Sequence, residues 1–95
     1  MPPLTEKPPL NPFVGALGAK LRQWRIDRDF TLEELTELAD VDASYIGRIE
    51  RGDVTAGITH IVRIVRALGA DFTDLMDGLP DPPPQRKRGR RGPSR

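Results

Sequence analysis

The distribution of proline is the feature of this 95-residue sequence that most limits how it can fold. Five of the ten prolines lie in residues 1–12 and five in residues 80–95, and none lies between Phe13 and Leu79. Because proline interrupts helices and the interiors of sheets, this pattern predicts one small domain with two extended tails. We therefore expect a proline-rich N-terminal arm at 1–12, a folded domain at 13–79 and a disordered Pro/Arg-rich tail at 80–95.

The charges divide at the same boundaries. Residues 13–79 contain eight Lys or Arg and twelve Asp or Glu, a net charge of −4. Residues 80–95 contain six Lys or Arg and one Asp, a net charge of +5. The overall charge of +1 therefore combines an acidic body with a basic tail, and a basic tail favours a polyanionic partner.

Length and composition exclude several classes of protein. A domain of this size buries only about 60% of the surface of its unfolded chain, which leaves room for one small core and little for a deep substrate cleft. The absence of cysteine excludes disulfides, thiolate metal sites and a thiol nucleophile. We expect no metal and no cofactor. No apolar run is long enough to span a bilayer and the first residues lack a leader pattern, so we expect a cytoplasmic protein without a membrane partner.

The spacing of apolar residues after the arm predicts two helices. Residues Val14, Leu17, Leu21 and Trp24 are three or four positions apart and line one face of a helix over 14–28. Thr31 and Glu34 then fit a capping box, which starts a second helix. The inward-facing residues of that helix are expected to be Leu35, Leu38 and Ala39.

Three further helices follow. Asp42 suits the N-cap of a helix over 43–51, with Ile46 and Ile49 inward, and Gly52 is placed to end it. Its outward residues are expected to be Ser44, Gly47, Arg48 and Arg51. A fourth helix over 58–68 is predicted to bury Ile58, Ile61, Val62, Val65 and Leu68, and a fifth, capped by Asp71, to end near Asp77.

These elements predict an all-α domain of five short helices. Its second and third helices, with the turn between them, form a helix-turn-helix unit at about residues 31–51, in which residues 43–51 are the candidate recognition helix. His60, the only histidine, is expected on the outer side of the fourth helix with no nucleophile near it in sequence. An enzyme is therefore the least favoured class.

Ordered motifs along residues 17–76 resemble the Cro/C1-type (XRE-like) helix-turn-helix family of phage repressors and related bacterial regulators. The matching motifs are Leu17-Gly18, Leu21-Arg22, Arg25, Thr31, Glu33-Glu34-Leu35, Val41, Ser44-Tyr45-Ile46, Arg48-Ile49-Glu50-Arg51-Gly52, Ala67-Leu68-Gly69 and Leu75. The resemblance implies a compact, lambda-repressor-like fold and a sequence-specific transcriptional regulator of double-stranded DNA. A homodimer on a palindromic operator is the expected assembly. Residues considered for its dimer surface are Phe72, Leu75, Met76 and Leu79, which suit the core equally well.

The resemblance also assigns roles to single residues. It places Ala43, Ser44, Gly47 and Arg48 on the face that enters the major groove, where an arginine can donate two hydrogen bonds to one guanine. Contacts to the DNA backbone are implied for Thr31, Tyr45, Arg51 and Thr55. Each of two residues has an alternative role: Arg48 could be an ordinary solvated arginine, and Tyr45 could be half-buried and pack against the domain.

The resemblance also implies that Arg25 pairs with Glu50 as a structural ion pair, and a phosphate contact is the alternative role of Arg25. The sequence departs from the family at Leu32, where a glutamine is usual, and at Asp53, where a lysine or neutral polar residue is commoner. Both departures remove or oppose a phosphate contact. With the −4 domain, they predict weak nonspecific affinity for DNA from the body alone.

The basic tail supplies a possible DNA arm, formed by Arg86, Lys87, Arg88, Arg90 and Arg91. Its other interpretations are an AT-hook centred on residues 88–90, a solubilising tail, and a membrane-surface segment that no amphipathic helix supports. A second function also suits the acidic surface, namely a helix-turn-helix protein-interaction adaptor or antitoxin-like partner that binds DNA weakly or not at all. Binding to DNA fragments discriminates between the two functions.

Overall fold

The structure of the protein is a computed structural model that describes residues 7–84. Its helices, in chain order, are α1 (Pro12–Asp27), α2 (Leu32–Ala39), α3 (Ala43–Arg51), α4 (Ile58–Ala67) and α5 (Phe72–Met76). Residues 7–84 contain no strand. The prediction of an all-α fold with five short helices is confirmed.

Local hydrogen bonds explain where the helices begin and end. The capping box predicted at α2 is present: the Thr31 hydroxyl accepts from the Glu34 N–H at 3.0 Å, and the Glu34 carboxylate accepts from the Thr31 N–H at 2.8 Å. Asp42 caps α3 by accepting from the Ser44 N–H at 3.1 Å. Gly52 ends α3 with a φ of 75°, a left-handed conformation that favours glycine.

The first helix begins earlier than the proline pattern predicted. Asn11 is its N-cap and accepts from the Val14 N–H at 2.8 Å, so Pro12 is the first helical residue and does not belong to the arm. Proline is well suited to this position, because its missing N–H would have no partner within the helix.

The core lies between all five helices and has thirteen buried apolar residues, the most enclosed of which are Leu21, Leu35, Ile46, Ile49, Ile64, Val65 and Leu75. Two predicted core residues are instead on the surface: Leu38 is 59% exposed and Ile58 is 61% exposed. In α2, Leu35 and Ala39 define a narrow buried stripe, and Leu38 lies to one side of it. In α4 the stripe runs through Ile61, Ile64 and Val65, so that Ile58 lies at its exposed N-terminal end.

The residues considered for a dimer surface lie mostly in or against this core. Leu75 is fully buried, and Phe72 and Leu79 are half-buried against it. Met76 is the exposed member, with 37% of its surface accessible. Packing within one chain therefore explains Phe72, Leu75 and Leu79, but not Met76.

The first helix crosses α3 in backbone contact. A Cβ atom on Gly18 would overlap the carbonyl oxygens of Ile49 and Glu50, so only glycine permits this approach. At the other side of the domain, the Lys20 ammonium donates to the carbonyl oxygens of Asp74 and Asp77 at the end of α5. These contacts fix α1 between α3 and α5. Within residues 7–84, no helix has the length and apolar character needed to cross a membrane.

Candidate DNA-binding surface

A buried ion pair holds the end of α1 against the last turn of α3. The Arg25 Nε donates to Glu50 Oε2 at 2.7 Å, and a second guanidinium nitrogen donates to Glu50 Oε1 at 3.1 Å. The remaining nitrogen, Nη1, donates to the Phe30 carbonyl at 2.8 Å. The hydrogen bond to Glu50 raises the pKa of Arg25. Each of the three guanidinium nitrogens thus donates a hydrogen bond within the protein, which favours the structural role over the phosphate contact.

Arg48 and Ser44 lie exposed on the outer face of α3, and Ala43 is half-buried at its first turn. Within residues 7–84, no ion pair or hydrogen bond engages the Arg48 guanidinium. As far as the described residues are concerned, all five of its N–H donors are therefore available to a ligand.

Gly47 does not face outward as predicted. It is buried, and a Cβ atom placed on it would lie 3.3 Å from an Arg51 guanidinium nitrogen and 3.8 Å from the Leu32 side chain. These two longer side chains extend over the glycine and cover it. Helical spacing predicts which side of a helix a residue lies on, but not whether longer neighbouring side chains bury it. The burial of Gly47 was therefore not predictable from the sequence.

Asp42 has a second role that sequence analysis missed. Its carboxylate accepts from the Ser44 hydroxyl at 2.6 Å as well as from the Ser44 N–H, and these hydrogen bonds lower the pKa of Asp42. The Ser44 hydroxyl proton is thereby occupied, while its oxygen lone pairs can still accept. The Asp-x-Ser spacing at a helix start is the signal that could have predicted this pair.

The residues expected to contact the DNA backbone differ in their surroundings. Thr31 is exposed but its hydroxyl serves the capping box, and Thr55 is exposed in the turn before α4. Arg51 is exposed and its Nε donates to Asp53 at 3.1 Å. The acidic residue that departs from the family pattern therefore neutralises part of the charge of its neighbour.

Tyr45 is half-buried, and its ring meets the ring of His60 edge to face, with the centroids 5.0 Å apart and an interplanar angle of 62°. His60 is consequently not the outer-surface residue predicted from helical spacing. It lies in the first turn of α4 and is half-buried against α3. Its Nδ1 is enclosed and has no hydrogen-bond partner in the described part of the chain. The sequence could not reveal this contact because the two residues belong to different helices.

The residues proposed for a C-terminal DNA arm, Arg86, Lys87, Arg88, Arg90 and Arg91, lie outside the described residues. Among residues 7–84, no three His, Asp or Glu side chains are arranged as ligands of a metal ion.

Comparison with known proteins covers most of the helical region. A family model described as a helix-turn-helix domain matches residues 16–79. The control protein C.BamHI of Bacillus amyloliquefaciens is 36% identical over 61 residues, which are 63% of this chain and 75% of that protein.

Solved structures show the same similarity. The restriction-modification controller protein C.AhdI from Aeromonas hydrophila is 29% identical with a TM-score of 0.63, over 65% of this chain and 94% of that one. The clp gene regulator ClgR from Corynebacterium glutamicum is 36% identical with a TM-score of 0.66, over 74% of this chain and 90% of that one.

Proposed function

The chain belongs to the helix-turn-helix domain family, and from this premise we propose that it is a transcriptional regulator that binds double-stranded DNA in a sequence-specific manner. The observation that carries the proposal is the outer face of α3, where Arg48 is exposed and its guanidinium has no partner within residues 7–84. The named relatives are a control protein, a controller protein and a gene regulator, which agrees with this function. We propose a binding function and no catalytic one.

In this account α3 lies in the major groove and Arg48 donates two hydrogen bonds to one guanine. Because the Ser44 hydroxyl proton is used by Asp42, Ser44 reads a base as an acceptor, for example from the amino group of adenine or cytosine. Ala43 offers an apolar contact such as one to a thymine methyl group. Gly47 is covered by Leu32 and Arg51 and contacts no base.

The DNA backbone is contacted by Thr31, Tyr45, Arg51 and Thr55 at the ends of the helix-turn-helix unit. Backbone contacts give most of the nonspecific affinity because they neutralise phosphates. The body is acidic, so we propose that the basic tail at residues 80–95 adds affinity as an arm.

One recognition helix reaches only a few base pairs, and a second copy adds a second half-site. We therefore propose a homodimer on a palindromic operator, with the two α3 helices in successive major grooves about 34 Å apart. A protein of this function acts at the nucleoid.

Mobility-shift measurements on genomic fragments test the proposal, using the full chain and a truncated chain that ends at Leu79. Both should bind, and the dependence of log Kd on log salt concentration should be flatter for the truncated chain, because it neutralises fewer phosphates. If neither binds any fragment at low salt, the DNA-binding function is wrong and the adaptor or antitoxin-like function is favoured. An unchanged slope would exclude the tail as an arm.

A further inference from the structure

The segment before α1 is packed against the end of α3. Pro9 lies between two glycines: a Cβ atom on Gly15 would be 2.8 Å from the Pro9 ring, and one on Gly52 would be 2.6 Å from it. The Leu10 N–H donates to the Gly52 carbonyl at 2.8 Å. Both glycines therefore leave the space that the proline ring fills, and the hydrogen bond fixes the path of the segment beside α3.

This packing creates a groove of about 980 Å³ between the segment, α1 and α3. Lys7 from the segment, Arg22 from α1 and Arg51 from α3 are three exposed cations along it. Leu32 and Gly47 form an uncharged part of its lining.

The groove carries an excess of positive charge. Two of its cations have acidic partners inside it, since Arg25 pairs with Glu50 and Arg51 with Asp53. For Lys7 and Arg22, no ion pair is found within residues 7–84. The lining therefore has a net charge of +2, whereas residues 7–84, which include it, have a net charge of −4. This local reversal of sign makes the groove a site for an anion.

We propose that this groove binds a phosphate group of the DNA backbone, with Arg22 and Lys7 as its principal ligands and Arg51 at its edge. The inference rests on the proposed function. The same helix presents Arg48 outward and contributes Gly47 and Arg51 to the groove. A duplex that receives α3 in its major groove, about 12 Å wide, brings its phosphate strands along both sides of the helix.

The chemistry of the lining suits a phosphate. A guanidinium can donate two parallel hydrogen bonds to phosphate oxygens, and a lysine adds a mobile point charge. Leu32, the first residue of α2, has no polar side-chain atom, so the cations provide the side-chain donors here. Pro9 and the Leu10 hydrogen bond hold Lys7 near this lining before DNA binds. This preorganisation reduces the conformational entropy that is lost on binding.

The test uses the full chain and a duplex recovered by wild-type selection from random DNA. The variants are Lys7→Gln, Arg22→Gln and the double variant. Arg66→Gln is the matched control, since Arg66 is an exposed arginine that lines a different groove, beside Trp24. Circular dichroism verifies that each variant is folded. The readouts are Kd against salt concentration, and Kd on duplexes in which one phosphate at a time is replaced by an uncharged methylphosphonate.

We expect the double variant to reduce the slope of log Kd against log salt by about 1, since a single phosphate contact contributes about 0.9. Arg66→Gln should leave the slope unchanged. One methylphosphonate position should weaken binding by the wild type and have little further effect on the double variant, because the contact is already lost.

A double variant with the wild-type slope, or a methylphosphonate profile identical to that of the wild type, would overturn the inference while leaving the proposed function intact. Failure of the wild type to select or bind any duplex would instead overturn the proposed function, and this inference with it.

Discussion

Arg25 and Glu50 form a two-bond ion pair that joins α1 to the last turn of α3, with side chains only 13% and 5% exposed. The same guanidinium bonds to the Phe30 carbonyl in the turn before α2. One side chain therefore connects three parts of the helix-turn-helix region. The position of α3, and with it the proposed DNA-binding face, depends on this pair.

We predict that Arg25→Ala lowers the free energy of unfolding by about 3–5 kcal/mol, because Glu50 would remain buried without a partner. Asp53→Ala is the control, since it breaks the more exposed pair with Arg51 and should cost about 0–1 kcal/mol. Urea unfolding measures both. A loss for Arg25→Ala no larger than that for Asp53→Ala would contradict the structural role of the pair.

The Ser44–Asp42 contact predicts a specific behaviour at low pH. The pKa of Asp42 is lowered in the folded state, so its contribution to stability is present above the unfolded value of 3.8 and is lost as the pH falls through the folded value. Ser44→Ala should raise the pKa of Asp42, since it removes the hydrogen bond that contributes most to the shift.

Carboxyl NMR titration of the wild type, Ser44→Ala and Ser44→Thr measures this effect. Threonine retains the hydroxyl and should keep the low midpoint. Equal midpoints in the alanine variant and the wild type would mean that the hydroxyl does not stabilise the carboxylate.

The edge-to-face contact between Tyr45 and His60 should couple α3 to the start of α4. We predict a coupling free energy of about 0.5–1.5 kcal/mol in a double-mutant cycle of Tyr45→Ala and His60→Ala, measured by urea unfolding. In a chain with Tyr45 intact, His60→Phe should destabilise the protein less than His60→Ala does, because an aromatic ring still contacts Tyr45. Additive effects of the two alanine substitutions would indicate that the rings do not stabilise each other.

Local patterns made much of the fold predictable from the sequence. Thr31 with Glu34, Asp42 and Gly52 mark helix ends by hydrogen bonds or backbone conformations that involve only neighbouring residues. These features can be recognised without knowing where the helices pack. The family resemblance then implied the ion pair of Arg25 with Glu50, which no local pattern would reveal.

The wrong predictions concern exposure, which depends on contacts between helices. Leu38 and Ile58 have the spacing of core residues but lie beside or beyond the buried stripes. Gly47 is covered by the side chains of other residues, and His60 packs against a ring from α3. The contacts of Pro9 with Gly15 and Gly52 were not predicted either. The proline pattern predicted that this segment is an extended arm, whereas it packs against α1 and the end of α3.

Selection of bound sequences from random double-stranded DNA tests the central claim most directly, with the wild type, Arg48→Ala and the control Arg66→Ala compared in parallel. We predict that the wild type and the control enrich the same palindromic sequence. Arg48→Ala should lose the preference for guanine at one position of each half-site, with a discrimination of about 1–3 kcal/mol removed there. Selection by the wild type without any enriched sequence, or an Arg48→Ala profile identical to that of the wild type, would contradict sequence reading by α3.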